Sequence, residues 1–326
     1  MQPFKLMISS ATVRTRSQSA FATGLVLAIA STVIAALQPV IVRYGALTID
    51  PILFCAGSVT VAAICVAVVL SRRGELAILA ERRYLPRLIG VSLAGTVATS
   101  LSLIYGLSHI DAVAAVVLLE SEPIYSLVMA SVFLGERPSV RQLIATAIIL
   151  GGIASVFLGG RVFSPLWAAA LVFATPLFWQ TAHVLSLGVM PPLTPIDIVG
   201  GRYVYAAFVL TAILLFTNAP ALRQLADPTI AVTVVFAGIA VYFFGSLTWY
   251  GAISRLSLAW TTAFVIPGVP ILSVLFALIF LGEHVSTLEL AGLAVAILGV
   301  VTLVFGADAH RPRRDNPAEA LHQPLA

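Results

Sequence analysis

Long apolar stretches, separated by short clusters of Arg, Pro, Gly and acid, run through the whole chain. Ten can be drawn, at residues 21–43, 50–70, 87–108, 112–134, 140–158, 166–189, 196–217, 229–252, 257–281 and 287–305. A helix rising about 1.5 Å per residue needs roughly 20 apolar residues to cross a bilayer, so each stretch is sized for one crossing. The pattern predicts an all-α integral membrane protein with ten transmembrane helices. The first stretch follows Arg14 and Arg16 and contains Ala28-Ile29-Ala30, a signal-peptide-like sequence. Its apolar run continues past that point to Val42 and nine more spans follow, so it reads as an uncleaved first helix.

Composition strengthens this picture. Of 326 residues, 60% are hydrophobic and 10% charged, with a mean hydropathy of +1.05, against roughly 25% charged in ordinary soluble domains. The net charge of +4 resides in loops and tails, so it bears on orientation and anionic lipid and gives no support for nucleic-acid binding. Placing both termini in the cytoplasm puts fourteen Lys and Arg residues on that side and leaves Arg43, Arg161 and Arg223 outside, with Arg202 inside a span. Retention of basic loops on the cytoplasmic side therefore predicts a multi-pass cell (inner) membrane protein with cytoplasmic N- and C-termini. Cys55 and Cys65 lie ten apart in one span, about 15 Å along a helix, and read as small apolar residues.

Sliding the chain by 147 residues lays PIYSLVMASVFLGE (123–136) on PILSVLFALIFLGE (270–283). Residues 116–159 match the second copy at 13 of 44 positions, including Pro123 with Pro270, Ser126 with Ser273, Glu136 with Glu283, Gly152 with Gly299 and Gly159 with Gly306. The chain is thus a tandem duplication of about five helices. Five is odd, so the second copy enters the membrane from the opposite face, giving two inverted five-helix repeats, an architecture of secondary transporters. The expected organisation is a cytoplasmic tail over 1–20, repeats over 21–160 and 161–306, and a cytoplasmic disordered tail over 307–326.

Ten spans in two halves, a proline followed by LGE closing the fourth helix of each half, and a Gly-rich fifth helix resemble the drug/metabolite transporter superfamily, specifically its EamA-type members. The resemblance covers residues 21–306 and is strongest over 105–159 and 250–306. Arg202 in TPIDIVGGRYVYAAF resembles the arginine early in the family's second helix, and FWQTAHV (178–184) its tryptophan-bearing first helix. The first copy departs from both, with ALQPVIVRYG (36–45) and FCAGSVTVAA (54–63), and Glu120 and Glu122 lie outside the general pattern. The resemblance implies a transporter and no cofactor.

Intramembrane acids are costly and mark function, which singles out Glu120 and Glu122. On a regular helix they point about 200° apart, so one faces inward, unless Pro123 bends the helix and brings both together. Ser126 and Ser273, with Pro123 and Pro270 as kink positions, are the duplicated partners of this segment. Arg202 needs a partner, and the candidates are an anionic substrate group, Glu120, Glu122 or Asp197, with snorkelling as the alternative. His183 and Trp179 stand one turn apart, and Tyr242, Ser246, Trp249 and Ile253 share a helical face that suits an amphipathic or aromatic substrate. Glu136 and Glu283 read as helix-end residues. Helix 3, through Ser92, Gly95, Thr99, Ser102 and Gly106, and helix 5, through Ala147, Gly151, Ser155 and Gly159, read as close-packing stripes.

No nucleotide-binding or metal motif is present, so ATP does not drive the protein directly and no metal is expected. The reading is a secondary active transporter rather than an enzyme: a proton-coupled exporter of a small, amino acid-like or amphipathic metabolite working by alternating access. The alternatives are a proton-independent exchanger or facilitator and, in another class, a membrane-embedded enzyme using Glu122, Glu120 and His183. Its partners are a small-molecule substrate, protons and membrane lipid, in a monomer or homodimer.

Overall fold

The computed structural model describes residues 3–134, 139–158, 165–189, 192–253, 255–256 and 258–307. Among these, no strand occurs, and the helices fall into ten consecutive units. The units are α1 (Pro3–Thr48), α2 (Pro51–Arg73), α3 (Leu85–Leu107) and α4, in two segments, Ala112–Leu119 and Glu122–Leu134. They continue with α5 (Val140–Leu158), α6 (Leu166–Leu187), α7 (Pro195–Asn218) and α8, from Pro228–Phe236 to Gly245–Ile253. The last two are α9 (Leu258–Phe276, extended by a wider turn to Leu281) and α10 (Thr287–Ala307). Seven are long and apolar enough to cross a membrane, and shorter apolar helices, Val140–Ser155, Gly268–Leu281 and Thr287–Thr302, supply the remaining three. The chain is an all-α, ten-span membrane protein. Glu136, Gly159 and residues 308–326 of the expected tail lie outside the described residues.

The duplication is written into the hydrogen bonds and the packing. The fifth helix of each copy starts with the same capping box: Gln142 N–H donates to Ser139 Oγ (3.3 Å) while Ser139 N–H donates to Gln142 Oε1 (2.7 Å). Ser286 and Glu289, at the matching positions, repeat this at 3.2 and 2.6 Å. Each box satisfies N–H groups that the first turn leaves without intrahelical partners.

The two fifth helices then pack on each other. A Cβ on Gly152 would lie 2.6 Å from both Ala296 N and Gly292 O, and one on Gly299 would lie 2.8 Å from Ile149 N and 3.0 Å from Ala145 O. Ala145 and Ile149 match Gly292 and Ala296 under the 147-residue shift. The contact is therefore self-complementary, as a twofold interface must be, and the pseudo-twofold axis passes through it. This corrects the expected α5 stripe. Ala147 and Gly151 are exposed, nothing lies within 4 Å of a Cβ on Gly151, and the packed face is Ala145, Ile149 and Gly152.

The expected α3 stripe holds: Ser92, Gly95, Thr99, Ser102 and Gly106 are all buried. A Cβ on Gly106 would lie 2.3 Å from the Val172 side chain and one on Gly95 would lie 2.6 Å from Ala182 Cβ, so these glycines let α3 close onto α6. Cys55 is buried with its Sγ 3.6 Å from Ser100 O, and both cysteines are free thiols.

The sequence pattern does not announce that both third helices carry a π-helical stretch at equivalent depth, Leu93–Ala98 in α3 and Ala237–Phe244 in α8. A π turn shifts the hydrogen-bond ladder by one residue and leaves carbonyls available to neighbours, which is why such turns recur at functional sites.

Candidate functional site

α4 is where the two acids sit, and it is broken between them. The first segment ends at Leu119, Glu120 occupies its C-cap with φ −62° and ψ −3°, and the second segment begins at Glu122. Pro123 has no N–H to offer the carbonyl of Leu119, so the ladder fails at this point. Ser121 N–H bonds back to Leu118 O at 3.1 Å, and Ile124 and Tyr125 N–H groups bond to Ser121 O at 3.0 and 3.3 Å, restarting the helix. Pro123 thus occupies the first turn of a new helix, where a missing N–H costs nothing, rather than kinking a continuous one. Pro270 in α9 is embedded in an unbroken helix.

The break gives the acids unlike surroundings. Glu120, 9% exposed, stands at the negative end of its helix segment. Glu122 stands in the first turn of a 13-residue helix, at its positive end. Its Oε1 accepts a hydrogen bond from Gln180 Nε2 of α6 at 2.8 Å. Between the acids, the fully buried Ser121 donates from Oγ to Phe173 O at 3.3 Å. The Tyr125 and Phe173 rings meet edge-on at 5.6 Å. Neither acid is turned out to the surface: Glu120 is buried and Glu122 half-buried against α6. Because α4 belongs to one copy and α6 to the other, the Glu122–Gln180 bond joins the halves.

Arg202 takes none of its expected acidic partners. Its Nε donates to Thr96 Oγ1 at 3.1 Å and its Nη2 to Gly95 O, both in the π stretch of α3. Its Cζ stands 5.8 Å from the Tyr203 ring centroid. Asp197 is engaged elsewhere, closing a capping box with Thr194 at the start of α7. A Cβ on Gly95 would meet both Ala182 and Arg202, so α3, α6 and α7 converge there. His183, the residue after Ala182, is half-buried, and its carbonyl accepts from Ser186 Oγ at 2.8 Å.

Matching positions in the other copy build an aromatic counterpart. Tyr203 donates from its hydroxyl to Tyr242 O (3.0 Å), and the same hydroxyl pairs with Ser246 Oγ at 2.6 Å. The Tyr203 and Tyr242 rings are perpendicular at 6.2 Å. Gly95 and Tyr242 correspond under the repeat, so each π stretch offers the carbonyl of the same position to a side chain of α7. Trp249 on α8 and Trp179 on α6 are both half-buried.

The duplicated serines part company. Ser273 is fully buried and donates to Ala36 O of α1 at 3.0 Å, whereas Ser126 is exposed. Glu283 acts at a distance invisible in sequence: Oε1 and Oε2 accept from Ala112 and Val113 N–H at 2.9 and 3.1 Å, capping α4 from the end of α9. Arg43 bridges this cap, with Nη2 3.2 Å from Asp111 and Nε 3.7 Å from Glu283. Gln180 and Thr96 are the site residues that sequence reasoning passed over, and Glu283, expected at a helix end, was not expected to cap α4. The one available signal was Gln180's place in FWQTAHV, a polar residue in an apolar helix.

Known proteins agree with this architecture. A probable terminal-alkyne amino-acid exporter of Streptantibioticus cattleyicolor is 28% identical over 247 residues, 75% of this chain and 80% of that protein. An uncharacterized transporter of Archaeoglobus fulgidus is 24% identical over 222 residues, 68% and 78% of the two chains. A crystal structure with 16% identity superposes with a TM-score of 0.60, covering 89% of this chain and 99% of that one, which shows a shared fold. The model of the EamA-like transporter family matches residues 22–158 and again 166–305, one match per copy. The chain is a member of the EamA-like transporter family.

Proposed function

We propose that this transporter exports a small, amino acid-like or amphipathic metabolite in exchange for protons, by alternating access, with Glu122 as the proton-carrying side chain. The observation that carries the reading is the Glu122–Gln180 bond, an intramembrane carboxylate held across the seam between the repeats. A carboxylate away from water is costly unless its charge is used or neutralised, and a site shared by two moving halves can exchange its proton with each side in turn. Glu120, one turn end away, is the second acid of the same relay. Arg202 and Thr96 set the α3–α7 contact, and Tyr203, Tyr242, Ser246 and Trp249 form the wall against which an apolar or cationic substrate part would lie. The likeness to a probable amino-acid exporter of Streptantibioticus supports an amino acid-like substrate.

Orientation follows from the basic loops: a multi-pass protein of the cell membrane, both termini cytoplasmic, with residues 21–160 and 161–306 as the two halves. In everted membrane vesicles, accumulation of L-propargylglycine, a terminal-alkyne amino acid, should be driven by an inwardly acidic pH gradient in the wild type. It should lose that dependence in Glu122→Gln. If Glu120→Gln and Glu122→Gln both retain the full dependence, the proton role is wrong and facilitated exchange replaces it.

A further inference from the structure

Arg202 carries a positive charge inside a span, and its surroundings do not cancel it. The side chain does not snorkel: Nε and Nη2 reach Thr96 and Gly95 of α3, both buried, rather than the membrane surface. Both partners are neutral, and among the described residues no carboxylate forms an ion pair with Arg202. A cation at this depth is costly unless an anion is held against it. Packing does not require the charge either. The 147-residue shift carries Arg202 to Cys55 of α2, which meets the same helix, α3, through a neutral thiol, with Sγ 3.6 Å from Ser100 O. The helix contact at this place can be made without a cation, and the second copy alone has one.

The bonds to α3 engage the Nε–Nη2 edge of the guanidinium, and Nη1 has no hydrogen-bond partner among the described residues. The remaining Nη1–Nη2 edge matches a carboxylate in two parallel N–H···O bonds, a geometry that a lysine cannot reproduce. A Cβ on Gly95 would lie 2.6 Å from Ala182 Cβ and 3.6 Å from Arg202 Cζ, so the guanidinium stands beside α6. Around that helix, Trp179 and His183 fall between the side of Ala182 and the side of Gln180, which bonds Glu122. Both are half-buried, as is Arg202, whereas Ala182 is buried.

We propose that Arg202 binds the carboxylate of the substrate: its Nη1–Nη2 edge takes the carboxylate of an amino acid, and the rest of the molecule lies toward the Trp179 and His183 face of α6. Thr96 and the Gly95 carbonyl are positioning groups that fix the guanidinium plane by its other edge. The π stretch has a use here, because its slipped ladder frees the carbonyl that holds the arginine. The inference rests on the amino acid-like substrate of the reading above and assigns which residue recognises which end of it.

The test is equilibrium binding to the purified full chain in detergent by isothermal titration calorimetry, with no pH gradient. The probes are L-propargylglycine and its carboxamide, which keeps the amine and the side chain and lacks the carboxylate. The wild type should bind the acid at least tenfold more tightly than the amide. Arg202→Gln should bring the acid down to the affinity of the amide and leave the amide unchanged, and Arg202→Lys should keep only part of the preference. The comparison of acid with amide on the wild type stands even where a variant fails to fold. Equal binding of acid and amide by the wild type, or an equal loss of both in a folded Arg202→Gln, overturns this inference alone. Absence of binding of either probe to the wild type overturns it together with the amino acid-like substrate. A carboxylate preference without pH-gradient-driven transport supports it and removes only the proton coupling.

Discussion

The fourth helices of the two copies share their second halves, PIYSLVMASVFL (123–134) against PILSVLFALIFL (270–281), yet take different structures. α4 is interrupted between Glu120 and Ser121, and α9 runs unbroken through the matching Pro267 and Gly268. A proline at the same place in both, Pro123 and Pro270, shows that proline alone does not decide the break. What differs is the company. α4 has two acids to settle and solves one with Gln180, whereas α9 presents Gly268 and Val269 and lies flat on α1. By contrast, the fifth helices, with Gly152 and Gly299 at matching places and matching capping boxes, keep the same contact and the same first turn in both copies. The molecule conserves its scaffold where the copies agree and places polar chemistry where they diverge.

That contrast can be broken from either side. The largest effect is expected from Glu122→Gln, which should reduce pH-gradient-driven flux of L-propargylglycine about tenfold or more, while Val269→Gln at the matching place should leave the pH dependence unchanged. Vesicle transport at fixed gradient measures both. Next come the scaffold glycines. Gly152→Val and Gly299→Val push a side chain into backbone atoms of the partner helix and should each destabilise by about 3 kcal/mol or more. Gly151→Ala, one residue away and facing open space, should change stability by no more than about 0.5 kcal/mol. Unfolding in detergent followed by circular dichroism separates them.

The capping boxes should give smaller and equal losses. Ser139→Ala and Ser286→Ala should each cost about 1 kcal/mol, because each removes the acceptor for one first-turn N–H. The smallest effect concerns Glu283. Burial raises its carboxyl above the usual 4.5, and the N–H groups of Ala112 and Val113 oppose that rise. The folded protein then holds this proton more tightly than the unfolded chain. Its contribution to stability is present below pH 4.5 and declines as pH rises through the raised value. The melting temperature of the wild type should therefore fall over that window relative to Glu283→Gln, which has no proton to lose.

The ten spans, the duplication and the special standing of Glu120 and Glu122 were legible because membranes impose length and polarity rules on single residues. Glu283 was legible as a helix-end residue, but not as the cap of a helix 170 residues earlier, since Ala112 reaches it only through the fold. Arg202 was legible as a charge needing partners. Its actual partners, Thr96 and Gly95, depend on a π turn whose carbonyl becomes available only when the α3 ladder slips, and hydropathy carries no trace of that. The α5 stripe misled because small residues lie on two faces of that helix, and only the arrival of α10 selects Gly152 over Gly151.

The unlike settings of the two fourth helices are tested most directly by water access to their paired serines, Ser126 exposed and Ser273 buried. In a Cys55→Ala, Cys65→Ala background, Ser126→Cys and Ser273→Cys should be treated in parallel with a membrane-impermeant thiol reagent, applied to right-side-out and everted vesicles. The account predicts rapid labelling of residue 126 from one face only and slow labelling of residue 273 from both. Equal rates at the two positions would contradict it.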